Sequence, residues 1–208
     1  WRPVPVCPDV LGDRARRDCP TIEQALIVPA TDLTGVDYER RLYLARKTAE
    51  ARWRAGSIDG AYVVSCSHRT LVYKGLLVAK QLAAFYPDLS DPDFASDFAI
   101  FHQRYSTNTL PSWPLAQPFR FLAHNGEINT LTGNVLWMQA READLTASVW
   151  GSDGDVLRPV VVPGGSDSAM LDNVLELLVL SGRNVLHAIR LLIPEAWEHR
   201  RDLPPEWR

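Results

Sequence analysis

The sequence has few cysteines, and their spacing excludes two common kinds of site. Cys7, Cys19 and Cys66 are the three cysteines among 208 residues, and none belongs to a Cys-x-x-Cys pair. An odd number of cysteines without that spacing predicts neither a disulfide framework nor a zinc or iron–sulfur site. We therefore expect three reduced thiols and no metal site in this chain.

Long apolar runs, positive charge and nucleotide-binding patterns are also missing. No stretch approaches the roughly 20 apolar residues that span a bilayer, and the start of the chain has no signal-peptide core. A net charge of −3 gives no basic field to attract nucleic acid or an anionic membrane, and neither GxGxxG nor a P-loop occurs. We expect a cytoplasmic protein with neither partner.

Helical and strand-like patterns alternate irregularly along the chain. With 46% hydrophobic and 23% charged residues, its composition is that of a globular domain. Apolar periodicity predicts helices at 34–56, at 128–145 and after the Gly-Gly turn at 164–165. Runs rich in β-branched and aromatic residues predict a hairpin at 60–75 and strands at 97–107, 119–124 and 156–162. The mixture predicts an α+β fold, with residues 1–208 forming a single partial domain.

Polar residues or glycine stand at three predicted strand ends. They are Arg104 with Thr107, Asn125 with Gly126, and Ser166 with Asp167. If the strands are neighbours in a sheet, these ends converge. A guanidinium binds a carboxylate in a bidentate pair, and an aspartate binds an ammonium. The three ends together predict a pocket for a zwitterionic amino acid.

The Asn125-Gly126 pair suits a second task in the same pocket. A carboxamide N–H and a glycine backbone N–H can both point at an oxygen that gains charge during amide hydrolysis. Each feature also has a structural explanation, because Asn-Gly is a common turn and Ser166-Asp167 is an ordinary helix N-cap. It is their combination and order that favour the oxyanion-hole interpretation.

Two segments carry a resemblance to a known family. FHQRYSTNTLPSWPLAQPFRFLAHNGEINTLTGN and PGGSDSAMLDNVLELL closely resemble the class II, N-terminal-nucleophile glutamine amidotransferase domain of glutamate synthase large subunits. The flanking WRPVPV, ERRLYLARK and YPDLSDPDF look similar to the same family, so the resemblance covers nearly the whole chain. It implies a four-layer αββα sandwich, incomplete at the N-terminus.

The resemblance also implies a role for each candidate residue. Arg104 matches the arginine that binds the α-carboxylate of glutamine, and Thr107 lies in the same binding turn. Asn125 and Gly126 match the oxyanion hole. Asp167 matches the aspartate that holds the substrate ammonium.

The family's nucleophile is a cysteine at the N-terminus of the mature chain, whereas residue 1 here is tryptophan. Cys7 is a poor substitute because Pro8 follows it in a proline-rich stretch, and Cys66 lies inside the predicted hairpin. We therefore expect this chain alone to be inactive and the full-length protein to be the enzyme.

The resemblance implies cofactors and partners outside these residues. Ammonia released from glutamine would pass to a synthase domain that uses FMN and an iron–sulfur cluster to make glutamate from 2-oxoglutarate. Partners would be glutamine, the remaining domains of the large subunit, and a small subunit or ferredoxin. Two alternatives stay open: a non-catalytic glutamine-binding or structural segment, and another class II amidotransferase such as an asparagine-forming one.

Overall fold

The regular structure is dominated by helices. The computed structural model describes residues 1–105, 108–145, 148–193, 202 and 204. Its elements are β1 (Arg2–Pro3), α1 (Asp13–Arg17), β2 (Glu23–Gln24), α2 (Gly35–Ala55), α3 (Leu82–Phe85), α4 (Leu131–Glu142), α5 (Asp167–Leu180) and α6 (Val185–Leu192). Short 3₁₀ segments lie at Pro8–Val10, Ala79–Gln81, Pro87–Ser90 and Ser148–Leu157. No helix in these ranges is both long and apolar enough to cross a membrane.

The long helices form where the apolar period predicts them. α2 covers Gly35–Ala55, inside the predicted 34–56. α5 begins at Asp167 after the cap residue Ser166, whose Oγ accepts a hydrogen bond from the Ala169 N–H at 3.2 Å. Because this bond satisfies one of the otherwise unpaired N–H groups of the first turn, it fixes where the helix starts.

One core cluster joins α2, α5 and the 3₁₀ segment Ser148–Leu157. The rings of Tyr43 and Trp150 pack with their centroids 5.5 Å apart. The buried members of this cluster are Tyr43, Trp150, Leu157, Val160, Leu177 and Leu180. Burying side chains of this size stabilises a fold by roughly 1.5–3 kcal/mol each. The cluster therefore holds α5 firmly against α2.

A second core cluster lies around the N-terminal segments and α3. Its buried members are Val4, Leu11, Phe85, Tyr86 and Trp113. Trp113 packs so closely on Gly75 that a Cβ there would lie 2.4 Å from the indole Cζ3. Glycine is therefore required at position 75 for the packing of this cluster.

The sheet is much smaller than the sequence predicts. In the described ranges it consists of β1 and β2, which pair antiparallel with Arg2 opposite Gln24. The predicted strands at 60–75, 97–105, 119–124 and 156–162 form no ladder in this structure. The four-layer arrangement implied by the resemblance therefore goes beyond what these residues show.

In the predicted strand 156–162, backbone N–H groups donate to helix side chains and not to a neighbouring strand. The Val160 N–H donates to Glu142 Oε1 at 2.7 Å, and the Val162 N–H donates to Asn173 Oδ1 at 3.0 Å. These are alternate residues, as the period of a strand requires. Carboxylate and carboxamide groups from α4 and α5 take the place of a neighbouring strand.

The predicted hairpin 60–75 keeps its turn but not its ladder. Ser67 Oγ accepts hydrogen bonds from the Arg69 and Thr70 N–H groups at 3.0 and 3.2 Å. Farther along, the Val72 N–H reaches the Ser65 hydroxyl at 3.4 Å instead of a backbone carbonyl. A side-chain bond thus joins the two arms where a strand pair would have a backbone bond.

Candidate functional site

The N-terminus of α5 is the buried centre of the candidate site. Gly164 adopts φ +78°, a left-handed conformation that favours glycine, and turns the chain into the helix. Ser166, Asp167 and Ser168 follow and are all buried. The Asp167 carboxylate lies in the first turn, where the partial positive charge of the helix N-terminus stabilises an anion.

Residues 119–128, which carry the Asn-Gly pair, wrap over α5, and we call them the amidotransferase loop after the family that they resemble. Three successive backbone N–H groups, those of Arg120, Phe121 and Leu122, donate to the Asp172 carboxylate at 3.2, 2.8 and 3.1 Å. Asp172 is fully buried. Burial raises the pKa of the Asp172 carboxyl, and the three N–H groups and the Arg120 charge oppose that rise.

This arrangement explains why 119–124 is not a strand. Successive amides of a strand point in opposite directions, whereas these three N–H groups converge on one carboxylate. A tight turn, in which the Phe119 N–H donates to the Leu122 carbonyl at 2.9 Å, allows the convergence. Because the buried carboxylate of Asp172 must be satisfied, it determines the local backbone.

The loop meets Asp167 directly after the Asn-Gly pair. The Ile128 N–H donates to Asp167 Oδ2 at 2.9 Å, and the Ser168 N–H donates to Oδ1 at 2.7 Å. Gly126 adopts φ +143°, so a side chain there would be strained. Asn125 and Gly126 are exposed. The structure thus brings two of the three predicted strand ends together.

A buried charge network lies beneath the loop. The Arg46 guanidinium bonds to Glu176 at 2.5 Å and to Glu50 at 2.9 Å. Arg120 Nη2 lies 3.6 Å from the Glu50 carboxylate and donates to the Val63 carbonyl at 2.8 Å. Burial raises the pKa of the Glu176 carboxyl, and the charges of Arg46 and Arg120 oppose the rise. This network connects the middle of α5 to α2 and to the loop.

Arg104 is the described residue of the third predicted strand end. Arg104 is exposed, and its N–H donates to His102 Nδ1 at 3.1 Å. Nearby, the Tyr105 hydroxyl donates to the Gly75 carbonyl at 2.7 Å. The hydrogen bonds described for Arg104 and for Asp167 have different partners. Thr107 lies outside the described residues.

A known protein family matches this chain along its whole length. Residues 1–208 match the family model described as glutamine amidotransferases class-II. The chain belongs to the class-II glutamine amidotransferases. This confirms the family that the motifs around Asn125-Gly126 and Ser166-Asp167 indicate.

Curated relatives within this family match over almost the whole chain. The chain is 45% identical over 204 residues to the glutamate synthase [NADPH] large chain of Azospirillum brasilense, covering 98% of this chain and 14% of that protein. It is 46% identical over 207 residues to the ferredoxin-dependent glutamate synthase 1 of Arabidopsis thaliana, covering 98% and 13%. Over 209 residues it is 44% identical to the glutamate synthase [NADPH] large chain of Bacillus subtilis, covering 100% and 14%. The chain thus spans about one seventh of these relatives' length.

Two of the three thiols do not have the environment of an amidotransferase nucleophile. A reactive cysteine needs a lowered pKa, whereas burial raises the pKa of the Cys19 and Cys66 thiols. Cys66 also points its Sγ at the Leu42 carbonyl, 3.5 Å away. Cys7 is exposed and begins the 3₁₀ segment Pro8–Val10 as its N-cap.

The described residues also do not fit an iron–sulfur cluster. In that part of the chain, no group of three or more His, Cys, Asp or Glu side chains is placed to hold a metal ion. Cluster ligation requires several converging thiolates. The location of FMN and of the cluster elsewhere in a longer protein remains a prediction.

Sequence reasoning missed the residues that support the site. Asp172 and Glu176 are buried residues of α5. Asp172 accepts from N–H groups of the amidotransferase loop, and Glu176 lies 4.0 Å from the Arg120 guanidinium, yet neither is a residue that the sequence motifs single out. The available signal was their position, because two acids lie in the mostly apolar stretch MLDNVLELLVL. A buried acid in an apolar helix must have partners. Identifying those partners required the tertiary structure.

Proposed function

We propose that this chain is part of the glutaminase domain of a glutamate synthase large subunit. The observation that carries the proposal is the 2.9 Å bond from the Ile128 N–H to Asp167 Oδ2. It fixes a carboxylate beside the turn that presents Asn125 and Gly126. The Asp167 carboxylate, which would bind the substrate ammonium, then lies near the turn whose two N–H donors would bind the amide oxygen. An amino-acid amide substrate requires both.

In this proposal Asp167 binds the α-ammonium of glutamine. Its carboxylate is 1% exposed, so a substrate ammonium paired with it would be largely desolvated. Such charge-assisted bonds are shorter and stronger than neutral ones, and low local dielectric strengthens them. Arg104 and Thr107 would bind the α-carboxylate at the opposite end of the substrate.

Asn125 and Gly126 stabilise the tetrahedral intermediate in this proposal. A cysteine thiolate at the mature N-terminus of the full-length protein attacks the side-chain amide carbon of glutamine, and the carbonyl oxygen becomes an oxyanion. The Asn125 carboxamide and the Gly126 N–H donate to that oxygen. The α-amino group of that cysteine, which took the thiol proton, returns it to the leaving nitrogen as the C–N bond breaks and ammonia leaves. Water then hydrolyses the thioester to glutamate and regenerates the thiol.

The remaining parts of the proposal concern the longer protein. The complete domain would be the four-layer αββα sandwich, with residues 1–208 forming part of it. FMN and an iron–sulfur cluster, bound elsewhere, would supply the electrons that reduce the imine formed from ammonia and 2-oxoglutarate. Partners would be glutamine, the other domains, and a small subunit or ferredoxin. A cytoplasmic location remains a prediction, and one plant relative is named as chloroplastic/mitochondrial.

Glutamine hydrolysis by the full-length protein tests the proposal. Asn125→Ala should lower kcat by about 10²- to 10³-fold, the usual cost of removing one oxyanion donor, with little change in KM. Asn129→Ala removes the carboxamide of another exposed asparagine four residues away and should leave kcat unchanged. Equal turnover of Asn125→Ala and wild type would remove Asn125 from the oxyanion hole.

The isolated 208-residue chain provides a second check. We expect it to release no ammonia from glutamine, because residue 1 is tryptophan and burial raises the pKa of the Cys19 and Cys66 thiols. Measurable release that iodoacetamide abolishes would show that one of these cysteines is the nucleophile, and the proposed role of a terminal cysteine would be wrong.

A further inference from the structure

The amidotransferase loop is clamped at His124, the residue before Asn125. The His124 N–H donates to Gln117 Oε1 at 2.8 Å, and the His124 carbonyl accepts from Gln117 Nε2 at 2.9 Å. One buried carboxamide thus pairs with the backbone of one residue as a neighbouring strand would. The clamp fixes the backbone where the Asn-Gly turn begins.

The His124 side chain reaches from this clamp to α5. Its Nδ1 lies 3.0 Å from Ser168 Oγ, and Ser168 is fully buried. The Ser168 N–H also donates to Asp167 Oδ1 at 2.7 Å, whereas its hydroxyl lies 3.5 Å from the same oxygen. The hydroxyl therefore makes its shorter contact with the imidazole. A single serine contacts both His124 and Asp167.

The opposite edge of the imidazole faces the Asn-Gly turn. A Cβ built on Gly126 would lie 3.5 Å from His124 Cε1 and 3.7 Å from Nε2. If the Ser168 hydroxyl donates to Nδ1, the ring hydrogen is on Nε2. The ring thus contacts Ser168 on α5 and borders the space that a side chain at position 126 would enter.

We propose that His124 and Ser168 are positioning residues that couple the oxyanion turn to the ammonium-binding carboxylate. The inference rests on the proposed function, because it assigns glutamine-site roles to Asn125, Gly126 and Asp167. Through the imidazole, the turn keeps a fixed distance from Asp167, so both ends of one substrate are held in register. Neither His124 nor Ser168 contacts the reacting atoms.

The coupling makes a kinetic prediction that a purely structural role does not. In the full-length protein, Ser168→Ala should lower kcat and raise KM for glutamine, each on the order of 10-fold, because both halves of the site shift. Ser181→Ala is the matched control. Ser181 caps the other end of α5 and also has one side-chain bond, from Trp150 Nε1 at 3.0 Å. It should leave both constants unchanged.

Two substitutions at His124 distinguish the effect of its hydrogen bond with Ser168 from the effect of the size of its ring. An asparagine side chain can place its amide near the position of Nδ1, and a glutamine side chain reaches nearer to Nε2. His124→Asn should therefore keep most of the activity, and His124→Gln should resemble Ser168→Ala. Equal loss in both variants would overturn the role of the His124–Ser168 bond. This pair also decides the matter if Ser168→Ala does not fold.

Double variants distinguish failure of this inference from failure of the proposed function. In an Asn125→Ala background, Ser168→Ala should no longer lower kcat, and in an Asp167→Asn background it should no longer raise KM. Additive effects would overturn the coupling. If Asn125→Ala and Asp167→Asn reduce activity while Ser168→Ala behaves as wild type, the coupling is wrong and the proposed function stands. If Asn125→Ala and Asp167→Asn have no effect, the proposed function itself fails.

Discussion

The amidotransferase loop and the segment 97–105 both read as strands in the sequence, but the structure holds them differently. In the loop, the N–H groups of residues 120–122, 124 and 128 donate to side-chain oxygens of Gln117, Asp167 and Asp172. In the segment 97–105, Phe98 and Phe101 are 75% and 87% exposed. Buried polar side chains order the first region, and the second has apolar side chains turned to solvent.

The difference shows which half of the proposed glutamine site the chain organises by itself. The half that would bind the ammonium and the oxyanion is anchored to α5 through Asp167 and Asp172. The half that would bind the carboxylate depends on Arg104, which is exposed. Buried acids hold the first half, whereas Arg104 of the second half lies at the surface.

Removing the buried anchor should make the loop resemble the segment 97–105. Asp172→Ala deletes the acceptor of three N–H groups, and each buried unsatisfied group costs about 1–3 kcal/mol. In the full-length protein we expect hydrogen exchange at amides 120–122 to accelerate by about 100-fold or more. Exchange at wild-type rates would show that Asp172 does not hold the loop. Asp155→Ala, at an exposed acid paired with Arg158, is the control.

Changing the charge at Asp167 should affect binding more than turnover. Asp167→Asn keeps an acceptor for the Ile128 N–H but loses the ion pair with the substrate ammonium. We expect KM for glutamine to rise by about 10- to 100-fold, and kcat to fall much less. The exposed Asp97→Asn should have no effect. An unchanged KM for Asp167→Asn would reduce Asp167 to a helix residue that anchors the loop.

A substitution in the exposed segment tests the other half of the site. Arg104→Lys keeps the positive charge but loses the bidentate geometry that matches a carboxylate. We expect KM for glutamine to rise by about 10-fold, while Arg69→Lys, at another exposed arginine, should leave it unchanged. If KM is equal in Arg104→Lys and wild type, a bidentate pair at position 104 is excluded.

The smallest expected effect concerns Lys74, which is buried between the two regions. Its Nζ donates to the Pro114 carbonyl at 2.7 Å, and burial lowers the pKa of its amine from 10.5 to about 8. Between pH 8 and 10.5 the Lys74 amine binds a proton in the unfolded chain but not in the folded one. The free energy of unfolding therefore rises with pH over this range, and the gain is lost as pH falls through about 8. We expect the free energy of unfolding, measured by urea denaturation, to rise by a value on the order of 1 kcal/mol between pH 8 and 10.

Two lysine variants identify the source of that gain. Lys74→Met should show a smaller rise in the free energy of unfolding over the same pH range. Lys47, whose amine pKa is also lowered to about 8 by burial, remains in this variant and retains part of the rise. The exposed Lys80→Met should behave as wild type. An identical pH profile for Lys74→Met would contradict the assignment.

The sequence predicts local features of this fold better than its long-range pairing. The extents of α2 and the cap at Ser166 follow from apolar period and capping chemistry, which act within a few residues. The prediction of strands at 119–124 and 156–162 was wrong. The N–H groups of these segments have partners on helices distant in the sequence, among them Asp172 and Asn173. A propensity for extended backbone does not tell which acceptor that backbone will find.

In the candidate site, too, the sequence predicts local motifs better than contacts between distant residues. Motif order identified Asn125, Gly126 and Asp167, and the structure places the loop of the first two against the third. It did not identify His124 and Ser168 as a pair, because a contact across 44 positions leaves no spacing signal. The position of Arg104 relative to Asp167 stays a prediction from the resemblance.

A structure of the full-length protein with glutamate, the proposed product, tests the central claim most directly. The account predicts Arg104 paired with the α-carboxylate, Asp167 within hydrogen-bond distance of the α-ammonium, and the side-chain carboxyl turned towards the Asn125 carboxamide and the Gly126 N–H. A bound glutamate whose carboxylate and ammonium contact neither Arg104 nor Asp167 would contradict it.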